Sequence, residues 1–331
     1  MDKMKSITKV LTKSREISLI FVLIILCAVI QLRNSQFLSL ANINDLLVNA
    51  VIMSILAIGM MCVLLIGGID ISIGSTLALS GMICALVMRD NPQLPAIFSF
   101  LIAIGVGLIC GLLNGLVIAK GGVIPIIATL GFMNIFRGAT YLVANSQWVH
   151  KEQITPDFQN FTLNGLFGIN NMIVVSVVCY VIFAFLLKFN RTGRKIYAVG
   201  SNPEAAEISG INITTIKILV YSLMGALSGL AGALWVSKYA SAQGDSGKGI
   251  EMDIIAACVI GGVSLSGGKG TVLGVVLGCL SLGILNNALP LINVSSFWQD
   301  AIKGVIIIIA LILNVMTQRT LDRNNLKRRE L

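Results

Sequence analysis

Ten predominantly apolar stretches follow one another between Ile17 and Thr317, and short polar or glycine-rich breaks separate them. This alternation constrains the fold more than any other feature. A helix crosses a bilayer core in about 20 residues. Within hydrocarbon every backbone N–H and C=O must be satisfied inside the segment, so a spanning element is a helix or a closed barrel. Unbroken apolar runs, with no two-residue alternation, select helices.

The expected spans are Ile17–Leu32, Asp45–Ile66, Ser72–Met88, Ala96–Ala119, Val123–Val143, Asn171–Phe189, Thr214–Tyr239, Ile254–Leu265, Thr271–Leu291 and Phe297–Thr317. The third and eighth look short enough to be broken or re-entrant. Of the 331 residues, 56% are hydrophobic and 12% charged. A soluble domain carries about 25% charged residues, and one of this length could not hide so much apolar surface. The fold class is an all-α polytopic membrane protein of about ten transmembrane helices. It has a basic segment (1–16), a transmembrane domain (17–317) and a basic tail (318–331). Too little chain remains for an enzyme domain.

The net charge of +9 follows the spans rather than a nucleic-acid face. With the N-terminus cytoplasmic, the inner segments hold 17 of the 24 Lys and Arg residues and the outer ones hold five: Arg33, Arg89, Lys151, Lys238 and Lys248. That bias is the positive-inside rule. It places both termini on the cytoplasmic side of the membrane and predicts no nucleic-acid partner. All seven cysteines lie in apolar runs without a Cys-x-x-Cys, so they read as small buried residues rather than metal ligands. His150 stands alone. GVSLSGGKG before the ninth span is no phosphate loop, because Val263 occupies the first glycine position and Gly270 follows Lys269. No cofactor is expected on this chain.

The inner loop 190–212 contains a helix signature. Asn202 suits an N-cap, Pro203 the first helical position and Glu204 the first turn. Ala205, Ala206, Glu207, Ile208 and Ser209 continue to Gly210, a natural residue just past a helix end. Such a helix either docks a cytoplasmic partner or anchors the loop at the interface.

Polar residues in the spans are few. Asp70 sits in a glycine-rich break, where it either lines a path or caps the third span. Asn114, Asn286, Asn287 and Gln299 offer neutral donors and acceptors to a passing hydroxylated solute, and equally hydrogen-bond helices together. Asp300 and Lys303 are three apart and can pair on one helix face. Glycines at 107, 111 and 115, at 225 and 229, and at 270, 274 and 278 allow close helix crossings. Gly111–Leu116 resembles Gly283–Ala288, and Gly67–Ser72 resembles Gly261–Ser266. The first match fits an inverted repeat, but the two do not share one alignment.

Several of these stretches resemble one family. GGIDISIGS (Gly67–Ser75), PIIATLG (Pro125–Gly131), Phe136-Arg-Gly, the 190–212 loop, EMDIIAA (Glu251–Ala257) and GGVSLSGGKG (Gly261–Gly270) resemble ABC-importer permeases of the ribose, xylose, arabinose and galactoside type, ribose permeases most. Autoinducer-2 permeases share the framework. Ile71 stands where Leu is usual, and Lys248 precedes Glu251. The resemblance implies a non-enzymatic subunit that forms a translocation path by alternating access, usually as two identical copies in a bacterial cytoplasmic membrane. It implies ATPase partners, which carry the ATP, docked on residues 202–210. It also implies a sugar-binding protein at Asn145–Asn170 and Ala240–Asp253. An ion-coupled secondary transporter and a membrane scaffold are the rival classes.

Overall fold

The computed structural model describes residues 15–305 except 167, 296 and 300, together with residues 308, 309 and 312. The tail 318–331, nearly all of segment 1–16 and much of the expected tenth span lie outside the described residues. Twelve α-helices are formed among the described residues. They are α1 (Arg15–Arg33), α2 (Leu40–Leu65), α3 (Ile73–Asp90), α4 (Ala96–Ala119), α5 (Pro125–Val143) and α6 (Pro156–Leu163). Then follow α7 (Asn171–Phe189), α8 (Arg191–Ser201), α9 (Pro203–Ile208), α10 (Ile213–Tyr239), α11 (Ile250–Ile260) and α12 (Val272–Leu291). A two-residue antiparallel pair, β1 (Gly165–Leu166) with β2 (Ile169–Asn170), closes the loop before α7.

Seven helices among the described residues are long and apolar enough to cross a membrane: α2, α3, α4, α5, α7, α10 and α12. The expected third span is one continuous helix. The expected eighth is not a span by length: α11 has 11 residues and rises about 16 Å, half of a hydrocarbon core. Its apolar run is longer than its helix because the chain turns at Gly261. The Gly262 N–H, at φ +94°, bonds Val259 O, and the Val263 N–H bonds Cys258 O. These two bonds are a Schellman stop. α2 ends in the same way at Gly67.

α2 and α3 are buried on most sides, and α10 packs against both and against α4. α4, α5 and α7 lie outside them and expose broad Ile, Leu, Val and Phe faces. Such faces suit lipid tails. Contact between spans then depends on close packing rather than on escape from water. The α4–α10 crossing is close along its length. A Cβ on Gly111 would collide with Tyr221 O, and one on Gly225 would lie 2.7 Å from the Gly111 backbone. The expected glycine spacings are therefore helix crossings, and Gly274 and Gly278 likewise take α12 onto α11.

Candidate transport site

Two glycine-rich breaks and the segment between α7 and α10 meet at one end of the bundle. This end carries Lys120, Arg191, Arg194, Lys195, Lys217 and Lys269. Asn190 caps α8 by accepting from the Thr192 N–H at 2.9 Å. α8 buries Gly193, Ile196 and Val199 and turns its basic residues outward. The sequence reading took α8 for loop, because its three basic residues and two glycines mask that apolar face. Asn202 ends α8 and also begins α9, accepting from the Ala205 N–H at 3.0 Å. The Gly210 N–H bonds Glu207 O, and the Ile211 N–H bonds Ala206 O. α9 is thus closed at both ends, and of its residues only Ala206 is buried. Ile208 is 89% exposed, with Glu204 and Glu207 exposed beside it.

α8 is seated on the two breaks through Gly200. A Cβ there would collide with Leu65 O at the end of α2 and lie 2.7 Å from Gly268 N. The Gly268 N–H donates to Leu65 O at 2.9 Å, at φ +71°. The Tyr197 hydroxyl adds a bond to Gly270 O at 2.7 Å. One helix end, the α2 terminus and the loop following α11 therefore form a single contact.

At its other end α11 faces a cavity of about 840 Å³. After α10, residues 240–249 fold back into the bundle instead of crossing over its surface. Ala242 forms a β-bridge with Val149 of the α5–α6 loop. The Arg137 guanidinium, from α5, donates to Gly244 O at 2.8 Å and Ser246 O at 2.9 Å. Gly247 then lies against Gly74 of α3, and Gly249, at φ +86°, begins α11. The cavity walls include Trp235 and Tyr239 of α10, Gln243 and Asp245 of the fold-back, and Asp253 of α11. Lys303 also lines it and comes within 4.0 Å of Asp253. Ala240–Asp253, which the family resemblance implies as an outer loop that meets a sugar-binding protein, contributes much of this lining, and contacts from α3 and α5 hold it in place.

The residues singled out from sequence are dispersed. Asp70 is 2% exposed and accepts from both the Ser72 N–H (2.9 Å) and the Ser72 hydroxyl (2.6 Å). Asn114, 1% exposed, donates to Ser72 Oγ at 2.8 Å. These three groups close the turn into α3 and do not line the cavity of about 840 Å³, and Asn114 Oδ1 is buried without a partner among the described residues. Asn287 exchanges two 3.0 Å amide bonds with Asn42 and ties α12 to α2. Asn286 Oδ1 is buried without a partner among the described residues. Gln299 donates to Val294 O at 2.8 Å. Asp300 lies outside the described residues, so only its expected partner Lys303 is seen.

Comparison with known proteins agrees with this architecture. Residues 42–311 match the family described as branched-chain amino acid transport system / permease component. The chain is 42% identical to the ribose import permease protein RbsC of Bacillus subtilis, over 88% of this chain and 90% of that one. It is 34% identical to the galactose/methyl galactoside import permease protein MglC of Escherichia coli, over 92% and 95%. It is 33% identical to the L-arabinose ABC transporter permease protein AraH of Azospirillum brasilense, over 89% and 86%. No solved structure matches the chain. With the family match spanning most of its length, and with seven membrane-capable helices among the described residues, the chain belongs to this family of transport permeases.

Proposed function

We propose that the chain is the membrane-spanning subunit of an ATP-driven, binding-protein-dependent importer of a small sugar, ribose-like in substrate. The carrying observation is the continuous connection from α9 to the cavity. α9 adjoins α8, α8 rests through Gly200 on Leu65 and on Gly268 of the loop that follows α11, and α11 carries Asp253 of the cavity wall. α11 is a short rod between two glycine turns, Gly249 and Gly262. A push on α9 reaches the cavity through the Gly200 backbone contact, the turn 261–268 and α11.

In this reading the basic end is cytoplasmic, both termini lie on that side and the chain resides in a bacterial inner membrane. ATPase subunits, which hold the ATP, grip α9 at Ile208 between Glu204 and Glu207. Two copies of the permease pair. A sugar-binding protein delivers the solute to the end that carries the α5–α6 loop, and the Val149–Ala242 bridge joins that loop to the fold-back. ATP binding biases the permease between two exposures of the cavity, in proportion to its differential affinity for them.

The test replaces Glu204 and Glu207 together by Lys. The exposed site carries the fold unchanged, so the melting temperature stays at the wild-type value. Stimulation of the ATPase by loaded binding protein falls at least tenfold. Wild-type stimulation would remove α9 from the docking role.

A further inference from the structure

The foot of α7 carries a charge pattern that neither the packing of the bundle nor the Gly200 contact uses. We propose that the elbow where α7 turns into α8 is a binding site for one anionic phospholipid, with an acyl chain along α7 and the phosphate held by Lys188 and Arg194. The site requires α7 to face lipid and is independent of the solute carried.

Val177, Val181, Phe185 and Phe189 follow one another four residues apart, so they form one stripe down α7. All four are more than half exposed, and Val178 and Ile182 widen the stripe. At 1.5 Å per residue it is about 18 Å long, close to the roughly 15 Å that one leaflet gives to a hydrocarbon core. The Phe185 and Phe189 rings, with centroids 5.5 Å apart, form its foot.

Phe189 fixes two cations at that foot. Lys188 Nζ lies 5.4 Å from the Phe189 ring centroid. Arg194 Nη1, from α8, donates to Phe189 O at 3.2 Å. That bond uses one of five guanidinium N–H donors and leaves others for the two-point recognition of a phosphate. Arg191 and Lys195 stand three before and one after Arg194, on the same outer face of α8. All four cations are exposed, and none is in an ion pair among the described residues. The sequence has no acid between Asp157 and Glu204.

Four like charges within eight residues repel one another, and a counter-charge must come from outside the chain. A basic cluster just beyond a spanning helix attracts anionic headgroups. A zwitterionic headgroup brings its own cation and gains less. An acidic protein surface would match the charges and leave the Val and Phe stripe unanswered. A soluble phosphate would do the same. An anionic lipid meets both parts, because its polarity changes over the same short distance as that of the elbow.

The experiment adds phosphatidylglycerol and phosphatidylcholine of identical acyl chains, in equal amounts, to the permease–ATPase complex in detergent. Native mass spectrometry counts the lipid retained. The expected result is one phosphatidylglycerol per permease, preferred about tenfold or more, since each cation near an anionic headgroup contributes about fivefold. Lys188→Gln with Arg194→Gln reduces the preference to about twofold or less by the same scale. Arg191→Gln with Lys195→Gln reduces it in the same direction. Lys120→Gln with Lys217→Gln, an equal charge loss at the same end of the bundle, leaves it unchanged. Excess inorganic phosphate does not displace the lipid. The melting temperature of each pair is read alongside, and either elbow pair decides the question if the other lowers it. Equal retention of the two lipids, no retained phosphatidylglycerol, displacement by phosphate, wild-type preference in the elbow pairs, or the same loss in the Lys120 and Lys217 pair overturns the proposal. Each of those results leaves the import reading as it stands.

Discussion

Replacing Gly200 by Ala tests the linkage between the α8–α9 segment and the glycine breaks. An added Cβ would overlap Leu65 O and lie 2.7 Å from both Leu65 C and Gly268 N. All three atoms are backbone, so no side chain can rotate away. Restoring ordinary contact requires the end of α8 to withdraw by roughly 1.5 Å or more, which strains the Gly268 N–H to Leu65 O bond. Overpacking of this kind costs about 1–3 kcal/mol. Spent on the seated arrangement, that energy shifts the seated-to-unseated ratio by about 5- to 150-fold. The assay is ATPase stimulation by loaded binding protein, read beside the melting temperature of the purified permease. Gly138→Ala is the control, because Gly138 sits in α5 with nothing within 4 Å of its added Cβ. Gly200→Ala should lower both stimulation and melting temperature, and Gly138→Ala neither. Wild-type behaviour of Gly200→Ala would refute the argument that this contact carries the coupling.

Two further outcomes follow from buried polar contacts. Asp70→Ala removes Oδ1, the one acceptor of both the Ser72 N–H and the Ser72 hydroxyl, and leaves those donors buried. The cost is about 2 kcal/mol or more, measured as a lowered melting temperature; an unchanged value would mean that the carboxylate does not hold the turn. Arg137→Leu frees Gly244 O and Ser246 O, so amide exchange across 241–249 should accelerate about tenfold or more by mass spectrometry. Unchanged exchange would show that the β-bridge alone fixes the fold-back.

Seven of the expected spans and the caps were legible in the sequence because each is written locally. Asn202, Pro203 and Gly210 mark α9 at both ends, and the glycine spacings mark the helix crossings. The cavity was not legible, because it assembles from Trp235, Gln243, Asp253 and the distant Lys303, with depth supplied by Gly74 and Arg137. Asp70 stood out as the rare acid among apolar runs, yet its partner is Ser72, two residues away. Rarity flagged the residue, and only its neighbours decide its role. The length of an apolar run also overstated α11, since a stop at Gly262 depends on one backbone angle rather than on hydropathy.

The most direct measurement reconstitutes the permease in liposomes with its ATPase and sugar-binding protein and follows uptake of radiolabelled D-ribose. The account predicts uptake that requires ATP and binding protein together, with none from a proton or sodium gradient when the ATPase is omitted. Uptake driven by an ion gradient through the permease alone would contradict it.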